Sequence, residues 1–138
     1  MFGYLDFLFL SYGGRIGRLN YWLGSIVLLV LQAIVYIGLF RLAGDVFGGL
    51  DPNADTIPPA VLEDLIWRVI VPIVIVSVLF LYPTYALATK RWHDRNKSGW
   101  WSLIAFVPFI GGLWFLIECG FLGGTDGENY YGPAPGSY

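Results

Sequence analysis

The ionisable side chains of this sequence are concentrated in the segment RWHDRNKSGWW, residues 91–101. It holds the only histidine, His93, directly followed by Asp94. A carboxylate can orient an imidazole and select its tautomer, so this pair is of a type used in acid–base and metal chemistry. Adjacent side chains point in different directions on a helix, however, and a catalytic metal generally needs three protein ligands. We therefore expect no metal, no cofactor and no enzymatic activity; a membrane enzyme that uses His93 and Asp94 is an alternative.

Basic side chains surround this pair and suggest anion binding. Arg91, Arg95 and Lys97 lie in the same segment, and two further arginines precede the first apolar run. Guanidinium groups bind phosphates through paired hydrogen bonds, which suits a lipid headgroup. The candidate headgroup-binding residues are Arg15, Arg18, Arg91, His93, Asp94, Arg95 and Lys97. The simpler interpretation is that the bases set the membrane topology and that neighbouring tryptophans anchor the chain at the interface.

Glu118 is an acid near the end of the third apolar run. An ionisable side chain within a membrane is a functional candidate, here for a proton or cation pathway in a small oligomeric channel or transporter. The interpretation that we favour is that Glu118 lies near the interface and extends its carboxylate to water, or pairs with Arg41 or Arg68. The neighbouring Cys119 is the only cysteine, which excludes an internal disulfide.

The apolar runs of the sequence predict the helices that must position these residues. Of the 138 residues, 57% are hydrophobic and 13% charged, whereas about 25% are charged in soluble domains. Uncharged runs cover residues 19–40, 69–89 and 98–117. Because about 20 apolar residues cross a hydrocarbon core of about 30 Å, each run is long enough to span. We predict an all-α integral membrane bundle with three transmembrane helices.

The boundaries of these elements follow from glycine and proline. Pro58 and Pro59 indicate a helix start, and Pro108 is expected to kink the third helix. The predicted single membrane domain, 1–138, contains an interfacial N-terminal helix (1–13), a first span (19–40), an acidic Gly- and Pro-rich connection (41–58), a second helix (59–95) that includes the span 69–89, a kinked third span (98–122) and an irregular tail (123–138). A re-entrant hairpin that turns at PFIGG is the alternative for the third segment.

The orientation follows from the distribution of Lys and Arg, which favour the cytoplasmic side of short loops. Six bases lie in the N-terminal flank and in residues 90–97, and two lie in the first connection. We therefore expect the N-terminus and residues 90–97 to be cytoplasmic, with the connection and the tail outside. A cytoplasmic tail would instead imply a re-entrant third segment, and would let Asp126, Glu128 and Tyr131 meet the basic residues directly.

Four motifs resemble one known family. They are GRIGRLNYW (14–22), RWHDRNKSGWW (91–101), FVPFIG (106–111) and GTDGENYYGPAP (124–135). Together they are similar to the small bacterial inner-membrane proteins of domain-of-unknown-function family 805 (DUF 805), over nearly the whole chain. One departure is Tyr130, where an arginine is common in that family. The resemblance implies a membrane location and architecture, and it supplies no activity.

The predicted function is that of a non-enzymatic protein of the bacterial inner membrane. It would bind anionic lipid headgroups or a partner, either another protein or a second copy, through a basic belt formed by Arg15, Arg18 and the bases of residues 90–97. Nucleic acid is not expected as a partner, because the basic patch is small and most of the chain is apolar.

Overall fold

The computed structural model describes residues 2–50, 53 and 55–136. Within these ranges the regular structure is helical, apart from one isolated β-bridge between Asn129 and Gly132. The helices are α1 (Phe2–Phe9), α2 (Arg18–Leu42), α3 (Gly44–Gly48), α4 (Pro59–Asp94), a 3-10 helix (Gly99–Phe106) and α5 (Ile110–Phe121). The all-α prediction is confirmed.

Helices α2 and α4 are the two in the described part of the chain that are long and apolar enough to cross a membrane. They contain 25 and 36 residues, or about 37 and 54 Å at about 1.5 Å per residue. Only 11% and 6% of the residues in their most apolar windows are buried. A core helix of a soluble protein would bury its apolar face, so lipid is the environment that these exposed surfaces require.

The ends of α4 are set by local sequence. Pro59 is its first residue, where a missing N–H costs nothing. At the other end Asn96 has a left-handed φ of 57°. The Lys97 and Asn96 amides donate to the carbonyls of Trp92 and His93, each at 2.9 Å. This is a Schellman motif, and it fixes the chain direction immediately after Asp94.

The chain packs as two compact units, one of residues 29–80 and one of the described parts of residues 1–28 and 81–138. In the first unit a polar chain joins α2 to α4. Gln32 donates to the Tyr36 hydroxyl at 2.7 Å, and that hydroxyl lies 2.6 Å from Ser77 Oγ. Because Ser77 donates its proton to the Ile73 carbonyl, Tyr36 is the donor to Ser77. Such bonds between helices satisfy polar groups that lipid would leave unpaired.

Helix α3 lies in the acidic Gly- and Pro-rich connection. Val46 is buried against Ala43 and Val69, and both oxygens of Asp45 accept from Arg68, at 2.7 and 2.9 Å. These contacts outweigh the poor helix propensity of GDVFG.

In the second unit the third apolar segment is a helical hairpin, not the predicted kinked span over 98–122. Lys97 Nζ and Glu118 Oε1 are 2.8 Å apart, whereas a continuous helix would separate them by about 30 Å. The reversal follows from Pro108, which has no N–H, and Phe109, which has a left-handed φ of 64°. The prediction of three spans is thus not confirmed, because both ends of the hairpin lie beside the end of α4.

Candidate functional site

Asp94, the last residue of α4, is the centre of a buried ionic network. Its Oδ1 accepts from Arg15 Nε at 3.2 Å and from Arg15 Nη2 at 3.0 Å, and its Oδ2 accepts from Arg91 Nη1. Arg15 and Asp94 are each 3% exposed, and Arg91 is 0% exposed. Buried charges persist only when they are paired and hydrogen-bonded. Asp94 thus supplies the counter-charge for two buried arginines.

The two arginines also hold the backbone that follows α5. Arg15 donates to the carbonyls of Gly127 (2.7 Å), Gly132 (3.0 Å) and Thr125 (2.7 Å). Arg91 donates to the carbonyls of Cys119 (2.8 Å) and Leu122. With Asp94, these contacts use all five N–H donors of Arg15. Arg15 therefore has no N–H left for a headgroup, and the side chain of Arg91 is fully buried.

The tail lies at the same end of this unit as the basic residues, so its predicted placement on the opposite side is corrected. The Thr125 amide donates to the Asp94 carbonyl at 2.8 Å. Gly124 packs so closely on the Asp94 carboxylate that a Cβ at residue 124 would overlap it. The tail is therefore ordered by docking, which its own composition cannot provide.

His93 and Asp94 bond to different partners. His93 Nδ1 lies 3.1 Å from the Gly14 carbonyl. Because a carbonyl only accepts, Nδ1 carries the proton and Nε2 keeps a lone pair in the neutral ring. The imidazole stacks on Tyr131 with ring centres 3.8 Å apart, and Asn129 donates to the His93 carbonyl at 2.9 Å. The arrangement orients the imidazole without help from the Asp94 carboxylate.

Glu118 pairs with Arg95 and Lys97, which corrects the predicted pairing with Arg41 or Arg68. Its Oε2 accepts from Arg95 Nε, and its Oε1 accepts from Lys97 Nζ at 2.8 Å. Burial raises the pKa of Glu118, but the hydrogen bonds and charges of these two bases outweigh it and hold that pKa below its usual value. The side chain is 6% exposed, so it is an ionised, internally paired carboxylate.

Two side chains of types that can act as nucleophiles, Ser98 and Cys119, have structural roles. Ser98 Oγ accepts from the Trp100 amide at 3.4 Å and so caps the 3-10 helix. Cys119 is fully buried, and that burial raises the pKa of its thiol to about 12. A thiol at that pKa is protonated at neutral pH and is a poor nucleophile.

The remaining predicted binding residues keep exposed atoms. Arg18 is exposed and donates through Nη1 to the Phe121 carbonyl at 3.1 Å. Arg95 donates through Nη1 to the Gly123 carbonyl at 2.6 Å. The side chains of Arg95 and Lys97 are 20% and 31% exposed. A cavity of about 300 Å³ opens beside Arg18, against the start of the tail.

Lys90 has a structural role, whereas the sequence suggested only that it contributes to the membrane topology. It is 0% exposed, and its Nζ donates to the carbonyls of Phe7, Leu8 (2.7 Å) and Ser11 (2.6 Å). The last carbonyls of a helix lack partners within that helix, so a cation placed there satisfies them. The last turn of α1 has no basic residue of its own, and this was the one feature of the sequence that could have indicated that a base from elsewhere in the chain binds its carbonyls.

The fold and the site define an α-helical membrane protein whose N-terminal segment, basic residues and tail are joined by a buried Arg–Asp–Arg network. The chain belongs to the family described as "Protein of unknown function (DUF805)", whose model matches residues 9–133.

The chain is similar to three proteins of Escherichia coli (strain K12). The chain is 41% identical over 61 residues to inner membrane protein YhaH of Escherichia coli (strain K12), which covers 44% of this chain and 50% of YhaH. It is 47% identical over 64 residues to inner membrane protein YhaI of the same strain, covering 43% and 52%. Uncharacterized protein YiiR of that strain is 28% identical over 149 residues, covering 88% and 84%. The chain thus spans about half the length of YhaH and YhaI, and no solved structure matches it.

Proposed function

We propose that the protein is a non-enzymatic, twice-spanning protein of the bacterial inner membrane that binds the phosphate of an anionic lipid headgroup at its cytoplasmic face. The binding residues are Arg18, Arg95 and Lys97. The observation that carries this proposal is the contrast within the basic belt between Arg15, Lys90 and Arg91, which are buried, and these three bases, of which Arg18 is exposed and Arg95 and Lys97 are half-buried. The orientation rests on the cytoplasmic preference of Lys and Arg near span ends.

The geometry of the exposed bases suits a phosphate. Arg18 and Arg95 each use an Nη1 on the same short stretch of backbone, residues 121–123. The Nη2 groups of both guanidiniums have no hydrogen-bond partner among the described residues. Guanidinium donors held on one stretch of backbone suit the oxygens of a phosphate. Three bases minus one acid, Glu118, leave a local charge of +2.

Exposed tryptophans next to these bases supply the membrane contact. Trp100 and Trp101 are 75% and 48% exposed, and Lys97 Nζ lies 5.4 Å from the Trp101 ring centre. Tryptophan favours the level of the headgroups, where its ring meets the apolar layer and its N–H meets water. This preference supports a position of Arg18, Arg95 and Lys97 at the depth of lipid phosphates.

The two alternative functions have weaker geometric support. Both Glu118 oxygens already accept from bases, which leaves the carboxylate poorly suited to carry ions. His93 and Asp94 do not act on a common partner, because one bonds to Gly14 and the other to two arginines.

Lipid retention tests the proposal. Protein purified in detergent with phosphatidylglycerol is examined by native mass spectrometry. Arg18→Gln should lower the bound lipid about fivefold, since one phosphate contact is worth about 1 kcal/mol. Arg41→Gln is the matched control, because Arg41 is exposed at the other end of α2. Equal retention in the two variants would refute headgroup binding at Arg18.

A further inference from the structure

The side-chain carboxamide of Gln32 is a polar group in the middle of a helix that is long enough to cross the membrane. Gln32 belongs to α2 (Arg18–Leu42) and lies at least about 15 Å of helix from either end, at about 1.5 Å per residue. A hydrocarbon core is about 30 Å thick, so this position is close to its centre. Water is absent there, and a polar group must find its partners within protein.

The partners within this chain satisfy only part of the carboxamide. Nε2 of Gln32 donates one of its two N–H groups to the Tyr36 hydroxyl at 2.7 Å. The second N–H and Oε1 have no hydrogen-bond partner among the described residues. In this part of the chain, the side-chain polar atoms that are both buried and unpaired belong to Thr89, Trp92 and Ser102. Oε1 of Gln32 is unpaired but is not one of them, so it is accessible at the protein surface.

The surface of α2 around Gln32 is uncovered. Helix α2, which the structure describes throughout, has no buried residue after Leu28. Leu29 and Val35 lie three residues before and after Gln32, and residues at this spacing are neighbours on a helix surface. They are 68% and 37% exposed. An accessible carboxamide between exposed apolar side chains is suited to a contact with another helix, because such groups form hydrogen bonds between helices in a membrane.

The unpaired groups of Gln32 indicate what that other helix is. One free acceptor and one free donor on the same carboxamide match the two groups of a second carboxamide, with which they form two reciprocal hydrogen bonds. A second copy of this chain inserts in the same orientation, so its Gln32 lies at the same depth in the membrane. A twofold axis along the membrane normal then brings the same surface of both copies together.

We propose that two copies of the protein form a parallel dimer in the membrane through α2, in which the two Gln32 carboxamides bond to each other. Oε1 of each copy accepts from Nε2 of the other copy. Leu29 and Val35 of both copies pack around this pair and keep lipid away from it. The contact lies within the span and is separate from the basic belt.

Fluorescence energy transfer between labelled copies of the full chain in liposomes tests the dimer. Donor and acceptor dyes are attached at Asp55→Cys in a Cys119→Ala background, because Asp55 is exposed and lies outside α2. A series of protein-to-lipid ratios in vesicles of phosphatidylethanolamine and phosphatidylglycerol gives the dissociation constant. Gln32→Leu should raise this constant about tenfold, the effect of hydrogen bonds between helices in a membrane. Its helical content by circular dichroism should stay the same.

Asn20→Leu is the matched control, because Asn20 is the other carboxamide of α2 and lies near its start, where water is within reach. Its dissociation constant should equal that of the unchanged protein. A mixture of unchanged protein and Gln32→Leu tests the reciprocal pairing. Because each hydrogen bond needs both carboxamides, the mixed dimer should be as weak as the dimer of Gln32→Leu alone.

Three results would overturn the inference. They are energy transfer no greater than random proximity produces at every protein density, equal dissociation constants of Gln32→Leu and Asn20→Leu, and a mixed dimer of intermediate strength. The last result would mean that Gln32 bonds to a different residue of the second copy. Arg18→Gln should leave the dimer intact, so lipid binding and dimer formation can fail independently.

Discussion

At the scale of single residues, Asp94 determines which arginines of the basic belt are buried. One carboxylate faces two buried guanidiniums, and the excess positive charge is met by backbone carbonyls of the tail and of α5. A buried cation without such partners would cost several kcal/mol. The tail is thus part of what keeps Arg15 and Arg91 buried.

The glycines at the start of the tail provide a residue-scale test of this docking. A Cβ at Gly124 would overlap the Asp94 carboxylate, whereas one at Gly123 would meet nothing within 4 Å. Gly124→Ala should therefore push Asp94 from its arginines and lower the free energy of unfolding by about 1 to 3 kcal/mol. Gly123→Ala should have little effect. Thermal unfolding in detergent measures both, and equal melting temperatures would contradict the close packing of residue 124 on Asp94.

The sequence identified the members of this network but not their partners. RWHDRNKSGWW pointed to Arg91 and Asp94, and the bases before the first apolar run pointed to Arg15. The partners of Arg15 lie 79 to 117 residues away along the chain. No local pattern encodes pairings at that separation, because they depend on how the hairpin returns the chain to the end of α4.

At the scale of elements, the hairpin of residues 98–122 shows why apolar length does not determine a span. The two arms of this hairpin are the 3-10 helix and α5. Both are as apolar as a spanning helix, and the PFIGG segment between them is compatible with either a kink or a reversal of the chain. The distinguishing contact is Glu118 with Lys97, which joins the two ends of the segment. The helix starts at Arg18 and near Pro59 were easier to predict from the sequence, because they depend on local charge and proline chemistry.

Adjacent glycines in α5 provide the element-scale test. Gly111 packs on the Ile104 carbonyl of the opposite arm so closely that a Cβ would overlap it, whereas Gly112 faces open space. Gly111→Ala should separate the arms and lower the free energy of unfolding by about 1 to 3 kcal/mol. Gly112→Ala should be neutral or stabilise the helix by up to about 1 kcal/mol. Thermal unfolding compares them, and a neutral Gly111→Ala would argue against the close contact of the arms.

At the scale of the whole molecule, docking of the tail changes the charge of the face that carries the basic belt. The six bases of the belt now share that face with Asp94, Glu118, Asp126 and Glu128, and six minus four leaves +2. A nearly neutral face attracts anionic lipid weakly in general. Any lipid preference should therefore come from defined contacts such as those of Arg18. The proposed orientation is unaffected, because acidic residues contribute little to the topology rule.

The proposed topology of two spans predicts that the N-terminal segment and the tail lie on one side of the membrane, which cysteine labelling in spheroplasts tests. In a Cys119→Ala background, Glu128→Cys marks the exposed tail and Asp55→Cys marks the connection between α2 and α4. A membrane-impermeant maleimide should label Asp55→Cys in intact spheroplasts and Glu128→Cys only after permeabilisation. This result is expected because, in the proposed topology, α2 and α4 each cross the bilayer, whereas the hairpin of residues 98–122 begins and ends on the cytoplasmic side. Labelling of both cysteines in intact cells would mean that residues 98–122 span after all, and would contradict the cytoplasmic face proposed here.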